Sequence, residues 1–189
     1  MENNLELLFN KHKFDKSIKD KSSSWFKKQM LGMANVKSDT VLREGGKQYS
    51  SIEPGSMYMY YYSPKHRDSL EYYDTFPMVI PYKETEDGFI GLNLHYLPPY
   101  YRVKLLNAML KFASNDKLNK NTKLKFTWSL VHNAANQKWA EACIKRYLSG
   151  YVKSNFVKIS PENWFSAVML PVARFKKASE TQVWKDSLR

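Results

Sequence analysis

The stretch from residue 76 to residue 110 constrains the fold more than any other part of this sequence. Two apolar runs, residues 76–82 and 89–96, flank a polar turn that ends in Asp87-Gly88, which is a β-hairpin pattern. We expect Gly88 to adopt the positive φ that closes the turn. Pro98-Pro99 then ends the second strand and begins a helix, because proline is tolerated in a helix's first turn.

The helix that follows the prolines is predicted by its apolar spacing. Tyr101, Leu105, Met109 and Phe112 recur at intervals of three or four residues, which places them along one face. Before the hairpin, residues 57–62 read MYMYYY, a composition that favours a strand. Alternation along that strand would put Tyr58, Tyr60 and Tyr62 on one face, where we expect core packing and a tyrosine-lined protein interface.

Prolines and local composition leave several elements less certain. Pro77 and Pro81 predict that the first hairpin strand is an edge strand or irregular. Residues 125–131 fit a strand, while residues 128–140 fit a helix almost as well, and residues 137–147 are predicted to be a helix. Ser160 and Pro161 have the pattern of an N-cap and first turn, after a short strand.

These elements predict a mixed α+β fold. A small, strongly bent antiparallel sheet from residues 56–96 would be packed by helices from the second half, forming one domain over residues 51–189. Residues 1–50, rich in lysine and serine, are predicted to be a basic helical N-terminal arm and linker.

The charge of the chain predicts an anionic partner. Thirty Lys and Arg against 18 Asp and Glu give a net charge of +12. Residues 102–125 hold seven basic residues and one acidic residue, so this segment is the first candidate for contact with DNA phosphates, and the basic residues near position 175 are the second. The candidate nucleic-acid-binding residues are Arg102, Lys104, Lys111, Lys117, Lys120, Lys123, Lys125, Arg174, Lys176 and Lys177.

Other functional classes find less support. The four histidines lack zinc-ligand spacing, and no phosphate-binding glycine loop or nucleophile elbow occurs. The single cysteine, Cys143, suits a reducing cytoplasm. We therefore predict no cofactor, metal or catalytic residue. No apolar run is long enough for a membrane span. Asp74 and Glu86 belong to an acidic cluster that keeps a magnesium-dependent nuclease open as a third hypothesis. Asn93 and His95 share a strand face, where we expect them to satisfy backbone groups at a corner.

Three segments carry a family resemblance. MYMYYYSPKHRDSLEYYDTFPMVIPY, DGFIGLNLHYLPPYYRVKLLNAML and WFSAVMLPVARFKKAS resemble the DNA end protector family of T-even-like tailed bacteriophages, over about half of the chain. The resemblance implies a non-enzymatic virion protein, made in the host cytoplasm, that enters the head or neck late in assembly and shields genome termini from exonuclease. Its partners would be the double-stranded phage DNA or its termini and other virion subunits of the neck, portal or tail.

The leading hypothesis is therefore a virion protein at or near the head–tail junction that binds DNA ends. The alternative is a purely structural neck, tail or baseplate component without end-specific DNA binding. In that case the basic surface would meet acidic neighbouring subunits.

Overall fold

The computed structural model describes residues 52–113, 115–169 and 171–188. The strands are β1 (Met57–Met59), β2 (Tyr73–Asp74), β3 (Met78–Thr85), β4 (Gly88–Asn93), β5 (Ile144–Leu148), β6 (Val157–Ile159) and β7 (Phe175–Lys176). The helices are α1 (Pro99–Ala113), α2 (Lys120–Ala135), α3 (Lys138–Glu141), α4 (Trp164–Met169) and α5 (Glu180–Ser187). Short 3₁₀ turns lie at Leu94–Tyr96, Ser149–Tyr151 and Pro161–Asn163. The mixed α+β prediction is confirmed, and the predicted helical arm lies outside the described residues.

The main sheet is antiparallel and has the strand order β5-β4-β3-β1-β6, while β2 and β7 pair separately. The predicted hairpin is confirmed as β3 and β4, with Ile80 opposite Leu92. The sheet is wider than predicted, because β5 and β6 come from beyond residue 96. β3 lies between β4 and β1, so the edge-strand expectation is wrong, but the expected irregularity is present as a register shift between Pro81 and Lys83.

Gly88 is required for a different reason than the turn chemistry suggested. Among the described glycines, Gly55 has a positive φ, of 86°, and Gly88 does not. A Cβ placed on Gly88 would lie 1.9 Å from the backbone oxygen of Tyr147. The close approach of β5 to the start of β4 therefore excludes any side chain at this position.

Two hydrophobic clusters cover the two faces of the sheet, as the predicted alternation of β1 requires. Met57 and Met59 join the larger cluster with Phe76, Leu106 and Trp164, between the sheet and the helices. Tyr58, Tyr60 and Tyr62 join the smaller cluster on the other face.

The second half of the chain corrects one prediction and resolves another. Residues 120–135 form the helix α2, so the strand alternative for residues 125–131 is wrong. The helix predicted over residues 137–147 ends at Glu141, because Ile144–Leu148 pairs with β4 instead. Ser160 occupies the predicted N-cap position, although its hydroxyl accepts a hydrogen bond from the Asn163 side chain rather than from the backbone.

Candidate nucleic-acid interface

A buried polar cluster fixes the corner where β4 turns into α1. The Asp74 carboxylate lies 2.7 Å from Nδ1 of His95 and accepts hydrogen bonds from the Asn93 side chain and the Phe76 backbone N–H. The side-chain oxygen Oδ1 of Asn93 in turn accepts a hydrogen bond from the backbone N–H of His95. Asn93 and His95 are fully buried, and no solvent reaches the pair. The expectation that they satisfy backbone groups at a corner holds for the Asn93 side chain, whereas the His95 ring pairs with the Asp74 carboxylate.

The charge of Asp74 is stabilised inside the protein. Burial alone would raise the pKa of this carboxyl, but the attraction of His95 and the hydrogen bonds from His95, Phe76 and Asn93 outweigh burial and lower the pKa. The cluster therefore holds the strand and the 3₁₀ turn together next to the helix, while Nε2 of His95 has no hydrogen-bond partner in the described part of the chain.

Arg102 belongs to this corner and not to the surface, which corrects its prediction as a DNA contact. Only 4 % of the residue is exposed, and its guanidinium donates to the carbonyl oxygens of Leu97 at 2.6 Å and His95 at 3.0 Å. Desolvation lowers its pKa to about 10, which still leaves it charged at neutral pH. The first turn of α1 faces inward here because Leu105, Leu106 and Met109 share its side of the helix.

The remaining candidate lysines of residues 102–125 lie at the surface of the protein. Lys104 and Lys111 are exposed on the outer side of α1, two turns apart, and Lys117 and Lys125 are also exposed. These four lysines form no ion pair within the described part of the chain. With Lys120 and Lys123 they give the set of lysines that we call the α1–α2 face, defined by Lys104, Lys111, Lys117, Lys120, Lys123 and Lys125. Within this set Lys123 and Lys125 lie about 160° apart around α2.

Two exposed aromatic side chains on α2 accompany these lysines. Phe126 is 43 % exposed and stacks on Phe112 of α1, with ring centroids 4.8 Å apart. Trp128 is 38 % exposed and stacks on His132 at 5.0 Å, while its indole N–H donates to the Tyr82 carbonyl. The sequence pattern did not point to either ring, because the open choice between strand and helix left the faces of this segment undefined.

Lys120 and Lys158 converge on Glu53 at the beginning of α2. Lys120 Nζ lies 2.7 Å from one carboxylate oxygen of Glu53, and Lys158 Nζ pairs with the other. The hydrogen bonds from these lysines are the main reason that the pKa of Glu53 is lowered to about 2. A cavity of about 160 Å³ opens beside the pair and is also lined by Lys123.

A family model described as the phage T4 terminal DNA protecting protein matches residues 8–187. The chain belongs to the family of phage T4 terminal DNA protecting proteins. The match confirms the resemblance found in the sequence and extends it over most of the chain, including residues 8–51. No match was found among curated proteins or among solved structures.

The second basic group of the chain lies at the small β2–β7 sheet. Lys176 is exposed, while the Lys177 ammonium donates to the carbonyl oxygens of Arg67, Asp68 and Leu70. Arg174 is exposed, but its guanidinium lies over the rings of Phe76 and Tyr61, 5.4 and 5.6 Å from their centroids. Since Lys177 is engaged by backbone oxygens, this group offers fewer free charges than the α1–α2 face.

The tyrosines predicted to line a protein interface are buried in the protein's own core, which corrects that prediction. Tyr58, Tyr60 and Tyr62 are 4 %, 0 % and 7 % exposed. Tyr60 packs against Phe156 and Tyr147, with centroid distances of 4.6 and 5.6 Å. No partner subunit can reach rings enclosed in this way.

The acidic cluster behind the nuclease hypothesis is dispersed in the fold. Asp74 is paired with His95, and Asp87 forms a salt bridge of 2.7 Å with Arg146. Over the described ranges, no three acidic, histidine or cysteine residues come together in a way that could hold a metal ion. Among the same residues, no helix has the length and apolar character needed to cross a membrane.

Proposed function

We propose that this protein is a non-enzymatic virion component that binds the ends of the packaged DNA through the α1–α2 face, at or near the head–tail junction. The observation that carries the proposal is the coincidence, on two packed helices, of exposed lysines with the exposed rings of Phe126 and Trp128. Family membership supports a role in protecting phage DNA.

The chemistry of the face suits protection without sequence readout. Lysine ammonium groups bind phosphates as point charges and release counterions, which gives affinity for any duplex. A terminal base pair exposes a flat aromatic surface that internal base pairs do not, so the ring of Trp128 or Phe126 can add affinity at an end by stacking. A DNA end bound by both the lysines and an aromatic ring would have its terminus covered, so an exonuclease could not engage it.

The test compares a linear blunt-ended duplex with a closed circle of the same sequence over a series of salt concentrations. We expect the wild-type protein to bind the linear form more tightly, with an affinity that falls steeply as salt rises. Combined replacement of Lys104, Lys111 and Lys125 by Gln should flatten the dependence of log affinity on log salt by about 2.7, or about 0.9 for each lost phosphate contact. Replacement of Trp128 by Ala should reduce the preference for ends and leave the salt dependence unchanged.

A matched control removes the same charge from other elements. Lys65, Lys153 and Lys185 are exposed outside α1 and α2, and their combined replacement by Gln should have a much smaller effect. Equal binding to linear and circular DNA would contradict end recognition. That outcome would favour a purely structural neck, tail or baseplate component.

A further inference from the structure

The lysines around Glu53 are arranged as an anion site that already holds an internal anion. Glu53 receives Lys120 from the first turn of α2 and Lys158 from β6, and Lys123 lines the same cavity. Lys123 also lies 4.0 Å from the carboxylate of Asp116, which is fully exposed. Two ammonium groups therefore contact the Glu53 carboxylate, and a third lines the same cavity, so the three lysines outnumber the one acid that lines it.

The backbone holds these groups in place. The Glu53 backbone N–H donates to the Tyr58 hydroxyl at 2.9 Å, and Asn119 caps α2 by accepting the backbone N–H of Thr122. Lys158 lies on β6, directly opposite Tyr58 of β1. The lysines thus come from a capped helix and a paired strand, so their spacing persists when the carboxylate is replaced by another anion.

A phosphate group can replace the carboxylate in this arrangement. A terminal phosphate has three non-bridging oxygens and more charge than a carboxylate, whereas a backbone phosphodiester matches a carboxylate in both respects. The Lys120 and Lys158 side chains are 71 % and 44 % exposed, so solvent and an incoming ligand reach them. Ion pairs with such exposure contribute little to stability, and an external phosphate can displace the carboxylate.

We propose that Lys120, Lys123 and Lys158 form a phosphate-binding site, and that Glu53 is an internal counter-anion which a DNA phosphate displaces. The proposal rests on the proposed function for the source of the phosphate. That source is either a backbone phosphodiester or the 5′-terminal phosphate of a DNA end. In both cases Glu53 occupies the lysines of the free protein and competes with the DNA phosphate, so it weakens the binding of DNA.

The deciding variant is Glu53→Gln, which keeps the side-chain shape and removes the competing charge. We expect about a tenfold lower dissociation constant for inorganic phosphate, followed by calorimetry, because a charge at contact distance in a partly solvated site no longer opposes the ligand. Glu84→Gln removes an exposed acid of β3 outside this cavity and is the matched control, with little expected effect. The combined variant Lys120→Gln and Lys158→Gln should lose phosphate binding.

Folding of each variant is checked by circular dichroism before titration. Phosphate binding by folded Glu53→Gln that equals or falls below that of the wild type would overturn the proposal, because Glu53 would then be a structural bridge and not a competitor. The phosphate assay does not depend on DNA. Absence of DNA binding together with tightened phosphate binding would therefore refute the proposed function and leave the site supported.

DNA substrates then identify the source of the phosphate. A linear duplex with 5′-phosphates that binds Glu53→Gln more tightly than one with 5′-hydroxyl ends would identify the terminal phosphate as the ligand. Equal gains on both duplexes and on a closed circle would identify the backbone phosphodiester. No gain on any DNA, in a variant that binds inorganic phosphate more tightly, would overturn the assignment of DNA as the displacing ligand.

Discussion

Two neighbouring basic residues of α1, Arg102 and Lys104, should respond in opposite ways to the same substitution. Arg102→Met keeps an apolar stem but leaves the Leu97 carbonyl without the 2.6 Å hydrogen bond that it accepts. The His95 carbonyl loses one donor and keeps the indole N–H of Trp184. Lys104→Met changes an exposed side chain on the opposite side of the helix.

The magnitude for Arg102→Met follows from these contacts. A buried polar group left unpaired costs about 1–3 kcal/mol, and relief from burying the guanidinium charge returns part of that cost. We therefore expect a loss of about 1–2 kcal/mol in the free energy of unfolding and a melting temperature lower by roughly 2–8 °C. Lys104→Met should change the free energy of unfolding by less than about 0.5 kcal/mol.

Urea denaturation and salt-dependent DNA titration of both variants provide the assay. We expect Arg102→Met, measured where it is folded, to keep the wild-type salt dependence of DNA binding. If the α1–α2 face binds DNA, Lys104→Met should reduce the slope of log affinity against log salt by about 0.9, the amount expected for one lost phosphate contact. A stable Arg102→Met protein with weakened DNA binding would refute the argument that Arg102 is a structural residue.

Two further predictions concern the corner and the hairpin. Because the pKa of Asp74 is lowered in the folded protein, its contribution to stability is present above the unfolded-state pKa, near 3.9, and is lost as pH falls through the folded-state value. Asp74→Asn should therefore lower stability at pH 7 and flatten its decline on acidification, as measured by urea midpoints from pH 7 to pH 3; an unchanged pH profile would contradict this pairing. Gly88→Ala should destabilise the protein by about 1–3 kcal/mol in the same assay, since the new Cβ collides with the Tyr147 backbone. A neutral result for Gly88→Ala would mean that β4 and β5 do not approach this closely.

The hairpin and α1 could be predicted because their local and tertiary preferences agree. Two apolar runs, a polar turn between them and a proline pair predict β3, β4 and α1 without help from distant residues. Residues 137–147 show the opposite case, since their helical spacing is overridden when Ile144–Leu148 completes the sheet beside β4. The apolar pattern of one segment does not show whether an edge of a distant sheet is open to pair with it.

The candidate site was predictable as a segment and not residue by residue. Counting charges identified residues 102–125 as the most basic segment, whose lysines lie at least partly exposed on α1, α2 and the turn between them, but the count treated Arg102 as equivalent to Lys104. Burial of Arg102 depends on carbonyl groups at the end of a 3₁₀ turn, and no local pattern reports these. Glu53 shows the same limit, because its partners Lys120 and Lys158 lie 67 and 105 residues away in sequence.

The division between arginine and lysine on α1 and α2 is itself informative about function. The arginine of this segment is inside, where its planar group spans two carbonyl oxygens, and the exposed cations are all lysines. Arginine is the residue that reads guanine edges through paired hydrogen bonds, whereas lysine provides a charge without that geometry. Under the proposed function, the lysines and exposed aromatic rings of these helices would therefore bind DNA of any sequence and gain selectivity from the shape of an end. This is what a protein that protects the terminus of a packaged genome requires, and it is why loss of end preference in Trp128→Ala, with the salt dependence retained, would be the strongest support for the α1–α2 face.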